Sequence, residues 1–305
     1  MIQNVISLLP ATASNAFYFW MQRHFGGLRK INPAARLVGG IGLWKLIKQS
    51  GYDPKGKVFL EIGTGRVPML PLAFWLMGGT KIITVDLHPY LKAELTKDCL
   101  QYIVDNTDEI LNIFGDLIDE SRLDDLIHFN SNTDFSINAF FDLCCIEYLA
   151  PADATKLPLA AKSIDFYSSY NVFEHIPPTV LQQIFTESNR VIKDDGLFVH
   201  RIDYSDHFAH DDKSISAINF LQYTDAEWGK YAGNSYMYMN RMRHDDFLKL
   251  FQSAGQSLLV ENPVLNQDCL TLLNNQRLPL DMQFKEKSIA VLAISGAWIA
   301  SKKCS

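Results

Sequence analysis

The sequence predicts an α/β fold: a doubly wound, mostly parallel sheet with an N-terminal helical cap and helical insertions. Three observations carry that prediction. An apolar run, Val58-Phe59-Leu60-Glu61-Ile62, ends beside a carboxylate and turns on Gly63-Thr64-Gly65. Pro68 follows, a residue suited to starting a helix. A second run, Lys81-Ile82-Ile83-Thr84-Val85, then ends in Asp86. Strand, glycine turn, helix and a second acidic strand end form one nucleoside-binding half of a doubly wound sheet.

Each part has a physical use. Glycine lets the backbone approach a ligand where a Cβ would clash. A helix start offers free N–H groups and a positive dipole end. Asp86 can accept hydrogen bonds from both hydroxyls of a ribose. The glycine spacing then narrows the nucleoside. A dinucleotide fingerprint needs a third glycine where Pro68 stands, and no G-x-x-x-x-G-K-[ST] phosphate loop is present.

Later segments arrive in a consistent order. Ala152-Asp153-Ala154-Thr155-Lys156-Leu157-Pro158 follows a third strand, and Ser163 to Tyr170 reads as a fourth that opens into Asn171-Val172-Phe173-Glu174-His175. Asn189 to Val199 leads into a fifth strand through Asp194-Asp195-Gly196, read as a turn. Asp246 to Gly255 reads as a helix before the sixth.

Over about residues 55 to 300 these segments resemble the class I S-adenosylmethionine-dependent methyltransferases. E-x-G-x-G is similar to that family's first motif, D-A-x-x-L-P to its adenine segment, and N-V-F-E-H to the turn after strand four. Val67, where the family often has a third glycine, is a departure. The resemblance implies a seven-stranded Rossmann-like methyltransferase fold with S-adenosyl-L-methionine as cofactor. It implies a cofactor set of Glu61, Gly63, Thr64, Gly65, Asp86, Leu87, Asp153, Ala154 and Asn171, with Asp86 on the ribose and Asp153 on the adenine. Capping roles for Glu61 and Asp153, and a surface turn for Asp86, stay open.

Composition limits the partners. The chain has 305 residues, 48% of them hydrophobic, and a net charge of −6, enough for one large domain or a domain with a cap. No basic footprint for nucleic acid is present. Five cysteines without a C-x-x-C pair fit a reduced, cytoplasmic chain. Met1 to Pro10 reads as a helix or cap segment rather than a signal peptide, and no membrane span is expected. Oligomeric state is left open.

Residues 1–50 are expected to form a helical cap, its helices broken near Gly26-Gly27, Asn32-Pro33 and Gly39-Gly40, acting as a lid or packing on the sheet edge. Residues 51–305 form the cofactor-binding domain, with insertions at about 91–143 and 203–244. The first shows helical spacing for two or three helices, either extending the core or meeting a substrate. The second leaves the carboxyl end of strand five, where ligands of such sheets bind. Its aromatics, including Phe220, Tyr223, Trp228, Tyr231, Tyr236 and Tyr238, are expected as a group to line an acceptor pocket.

Methyl transfer from a sulfonium asks mainly for an in-line acceptor and exclusion of water. A hydroxyl acceptor also loses a proton, so a nearby base helps. Among eight histidines, His24, His88, His128 and His244 lie in segments expected away from the methyl, and His200 falls inside strand five. The expected catalytic set is His207 as base, Asp203 to orient it, and His175 as a rim residue or second base. Asp203, His207, His210 and Asp211 match no firm metal signature, and no metal is assigned.

The turn after strand four lacks the N-P-P-Y pattern of base N-methyltransferases. The expected activity is therefore methyl transfer to a hydroxyl of a small molecule, such as a sugar, glycolipid precursor or polyketide-like acceptor. The alternatives are N-methylation of a small amine, or a catalytically silent fold acting as a partner subunit. A nicotinamide oxidoreductase is disfavoured by the missing third glycine.

Overall fold

The computed structural model describes residues 17, 19–24, 32–132, 134–233 and 238–304. Met1 to Pro10, Gly26-Gly27 and Tyr236, each given an expectation above, lie outside the described residues.

Seven strands form one sheet: β1 (Val58–Ile62), β2 (Lys81–Val85), β3 (Ile146–Leu149), β4 (Ile164–Tyr170), β5 (Ile192–Asp203), β6 (Gln256–Leu265) and β7 (Ile294–Lys303). Their order is β3-β2-β1-β4-β5-β7-β6, parallel except for β7, which runs antiparallel to both neighbours. The order reverses between β1 and β4, so a crevice opens beyond their carboxyl ends, where doubly wound sheets hold ligands.

The pleat divides β1 between two cores, because successive side chains point to opposite faces. Phe59 joins the first core with α1 (Pro33–Gln49), α2 (Met69–Leu76) and α3 (Ala93–Asp105). Leu60 and Ile62 join the second, with α7 (Pro178–Val191) and α10 (His244–Ser253). Helices therefore cover both faces, and strands buried on both sides read as continuous apolar runs.

α1 begins where Asn32-Pro33 predicts, with the Asn32 side chain accepting from the Ala35 N–H. The expected break at Gly39-Gly40 is absent, and the helix runs through to Gln49. These glycines serve close packing instead. A Cβ on Gly40 would lie 2.6 Å from Ala73 Cβ of α2, and one on Gly42 would strike the Trp298 ring of β7. The body of α1 thus packs as core, while its first turn reaches the crevice.

Among the described residues, 91–143 hold four α-helices, more than expected: α3, α4 (Thr107–Phe114), α5 (Glu120–Asn132) and α6 (Ile137–Leu143). The apolar spacing runs almost continuously from α3 into α4, which hides the break at Asn106. Asp194-Asp195-Gly196 is not a free turn but lies within β5, where its pairing with β4 shifts register between Ile164 and Phe166.

Residues 203–244 hold α8 (Phe208–Asp211) and α9 (Asp225–Ala232). The expectation that their aromatics line a pocket as a group does not hold. Phe220 and Trp228 are buried in a third core with α11 (Gln267–Asn274) and α12 (Ile289–Leu292), and Tyr231 is exposed. Large rings with nearby apolar partners gain more from that burial than from a polar cleft. Two buried arginines fasten the segment. Arg243 donates to the carbonyls of Tyr204, Leu292 and Ile294, and Arg241 to those of Phe220 and Tyr223.

Candidate functional site

The crevice at the β1/β4 switch point has a volume of ≈ 740 Å³, and Glu61, Gly63, Thr64, Gly65, Asp86, Asn171 and His175 line it. An adjoining apolar pocket of ≈ 310 Å³ shares Gly63, Asp86, Val172 and His175 and adds Leu87, Asp153, Ala154 and Ile176. The structure thus brings all nine residues expected to hold a cofactor to two connected hollows.

The turn after β1 is built for close approach. Gly63 has φ +92°, and a Cβ there would run into the Val172 side chain. Gly65 has φ +68°, and a Cβ there would enter open space. The Gly65 N–H donates to Asp86 Oδ2 at 2.9 Å, which locks the turn to the end of β2. Burial raises the Asp86 pKa, against the Gly65 and His88 N–H groups that lower it.

Glu61 is 2% exposed. Thr84 Oγ1 donates to its Oε2 at 2.6 Å and lies 2.6 Å from Thr64 Oγ1. Burial pushes the Glu61 pKa up to about 8, with Thr84 lowering, Asp86 raising and Arg36 lowering it. A carboxyl held this way at a cleft wall ionises most readily when a cation arrives.

Asp153 is exposed, and its Oδ1 accepts from the N–H and hydroxyl of Thr155, both at 2.8 Å. Asn171 has φ +53°, places its N–H on the Arg201 carbonyl, and leaves a buried Oδ1 without a hydrogen-bond partner. That conformation suits asparagine better than most residues.

The turn Phe173–His175 is tied to the segment returning from α9. Asn240 Nδ2 donates to the carbonyls of Phe173 and Ile176, and Tyr238 O lies 2.9 Å from His175 Nδ1. Burial lowers the His175 pKa. The His207 ring is 4.9 Å from that of His175 and 4.8 Å from that of His210. His207 Nε2 lies 3.7 Å from Asp203 Oδ2 and, though buried, makes no hydrogen bond. Asp203 Oδ1 accepts from the Ser205 N–H and hydroxyl. Burial raises the Asp203 pKa, but His207 and Ser205 together overcome it and hold the carboxyl down at about 2. The three expected catalytic residues therefore stand together. His200 is separate: buried within β5, it pairs with Ser169 Oγ at 2.8 Å, and burial lowers its pKa to about 3.

Behind Asp203 lies a polar hollow of ≈ 570 Å³ lined by Arg201, His210, Lys213, Ser216 and Ser295 among others. Tyr238, named above among the pocket aromatics, lines the crevice, as do Arg36, Tyr90 and Tyr170, which were not singled out in the sequence. Arg36 is foreseeable as the polar residue in the first turn of a helix whose body is apolar. The two tyrosines flanking the turn carry no local signal.

Residues 137–200 match the family model described as a methyltransferase domain. Among curated proteins no sequence match is found. Solved structures with a similar chain path include a protein from Pyrococcus horikoshii (14% identity, 94% of this chain and 98% of that one, TM-score 0.48). Another is an S-adenosylmethionine-dependent methyltransferase from Methanosarcina mazei (13% identity, 85% and 97%, TM-score 0.46). A third is geranyl diphosphate C-methyltransferase from Streptomyces coelicolor (12% identity, 86% and 78%, TM-score 0.47).

Proposed function

We propose that this chain, a class I S-adenosylmethionine-dependent methyltransferase, passes the methyl group to a hydroxyl of a small molecule. The observation that carries the acceptor reading is the grouping of His207, Asp203 and His175 beside the crevice that Gly63, Gly65 and Asp86 line.

In this reading Asp86 holds the ribose, Asp153 and Ala154 meet the adenine edge, and Leu87 and Ile176 sandwich its ring in the apolar pocket. Glu61 faces the cationic methionine end, Thr64 fixes Glu61 through Thr84, and Arg36 takes the methionine carboxylate. Asn171 offers its unpaired Oδ1 at the rim. Residues 1–50 then serve as cap through the first turn of α1, and 51–305 as the cofactor domain.

The cofactor supplies an activated methyl, so the chain has only to align the acceptor and exclude water. Loss of the hydroxyl proton is assisted by His207, with Asp203 stabilising the imidazolium and His175 ordering the rim. The hollow behind Asp203, with Arg201 and Lys213, gives a hydroxylated acceptor polar contacts. No helix among the described residues is long and apolar enough to cross a membrane.

The test is transfer from isotopically labelled S-adenosylmethionine to fractionated extract, with mass spectrometry of the product. A methyl ether is expected. A methylated amine would instead support the N-methyl alternative, and no transfer would favour a silent partner subunit.

A further inference from the structure

Five metal-ligating side chains converge beside the crevice, and two of them, Glu174 and His207, have buried polar atoms without a hydrogen-bond partner among the described residues. Ligand atoms of Glu174, His175 and His207 all lie within 4.8 Å of one another, as do those of Asp203, His207 and His210. His207 belongs to both groups.

Glu174 supplies the independent observation. It is 2% exposed, yet among the described residues neither carboxylate oxygen makes a hydrogen bond. The peptide N–H groups of Glu174 and Asp203 lie near, outside hydrogen-bonding geometry. Its Oε1 is 4.0 Å from His175 Nε2, so the carboxylate points into the cluster rather than into the core. A buried carboxylate with nothing to accept from is costly unless a cation satisfies it.

The imidazoles are set for such a cation. His175 Nδ1 is directed at the Tyr238 carbonyl, which fixes its N–H there and leaves Nε2 as the lone-pair nitrogen. His207 Nε2 is buried and unpartnered. Asp203 Oδ1 is engaged by Ser205, while Oδ2 faces His207 and His210 at 3.7 and 3.9 Å. Outer hydrogen bonds that orient metal ligands take this form.

We propose that Glu174, His175 and His207, with Asp203 and His210 beside them, bind one divalent first-row cation such as Mn²⁺ or Zn²⁺. Mixed imidazole and carboxylate donors suit those ions better than Mg²⁺ or Ca²⁺, which prefer all-oxygen sets. Metal bonds of about 2.0–2.2 Å require the ligand atoms to close in from their present separations of up to 4.8 Å. The cation borders the cofactor crevice through His175 and the polar hollow through Asp203 and His210. It would grip an acceptor oxygen and lower its pKa. It also takes the His207 Nε2 lone pair, so His207 is a ligand in the loaded protein and a proton acceptor only without metal.

The proposal rests on the hydroxyl-acceptor reading and replaces His207 by the cation as the group that favours proton loss, but its test needs neither cofactor nor acceptor. The full chain is stripped with a chelator and titrated with MnCl₂ or ZnCl₂ alone, read by calorimetry and, for Mn²⁺, by electron paramagnetic resonance. One equivalent binds, and Glu174→Gln and His207→Gln each weaken binding by at least about tenfold. His175→Gln is the substitute if Glu174→Gln does not fold. S-adenosylmethionine affinity, measured separately on each variant, reports on the methyltransferase reading independently. Absence of stoichiometric binding, or binding unaltered in the folded variants, overturns the site.

Discussion

Glu61→Gln separates what the buried carboxyl does for the fold from what it does for the cofactor. Burial raises its pKa from 4.5 to about 8, and Thr84 is the strongest opposing influence. A carboxyl raised in this way contributes stability that is complete below its unfolded pKa and lost as pH rises through its folded one. The window therefore runs from about pH 4.5 to about 8, with a slope of about 1.4 kcal/mol per pH unit. At pH 7 the group is mostly protonated, and ionising it to face the cationic methionine end costs on the order of 1 kcal/mol. Cofactor binding at pH 7 should then release most of a proton, and affinity should rise about tenfold from pH 6 to pH 7. Calorimetry in buffers of different ionisation enthalpy counts the proton, and denaturant melts across pH follow the stability. The glutamine variant should release none and lose the stability slope. Equal proton release by both proteins, or none by the wild type, refutes the reasoning.

Further outcomes follow from the same geometry. Asp86→Ala should weaken S-adenosylmethionine binding by about 1.5–3 kcal/mol, the range for hydrogen bonds to a charged group; calorimetric affinity equal to wild type removes the ribose assignment. His207→Ala should lower turnover of the true acceptor near pH 7 by about 10²–10⁴-fold, and a rate within a few-fold of wild type leaves alignment alone to carry the reaction. Gly40→Ala should cost about 1–3 kcal/mol in denaturant unfolding because its Cβ meets Ala73, and adding Ala73→Gly should recover part of the loss.

The position of the candidate cofactor residues at the crevice was legible because local chemistry dictates it. A strand end, a turn that must leave the ordinary φ range at Gly63, and a carboxylate on the next strand are sequence-local features. Asp153 and Asn171 were equally readable, since each stands one short turn beyond its strand. What escaped depends on contacts distant in the chain. Gly39-Gly40 reads as a helix break until Ala73 and Tyr170 are brought against it. Phe220 and Trp228 read as pocket rings until α11 and α12 arrive to bury them. Glu174 was read only as part of the turn after strand four, because its place beside His175 and His207 emerges only when the segment after β5 is brought against that turn.

The measurement that bears most directly on the central claim is calorimetric titration of the purified chain with S-adenosylmethionine and, separately, with NAD. The account predicts saturable binding of one S-adenosylmethionine per chain, weakened in Asp86→Ala, and no heat from NAD. Binding of NAD in its place, or of neither ligand, would contradict it.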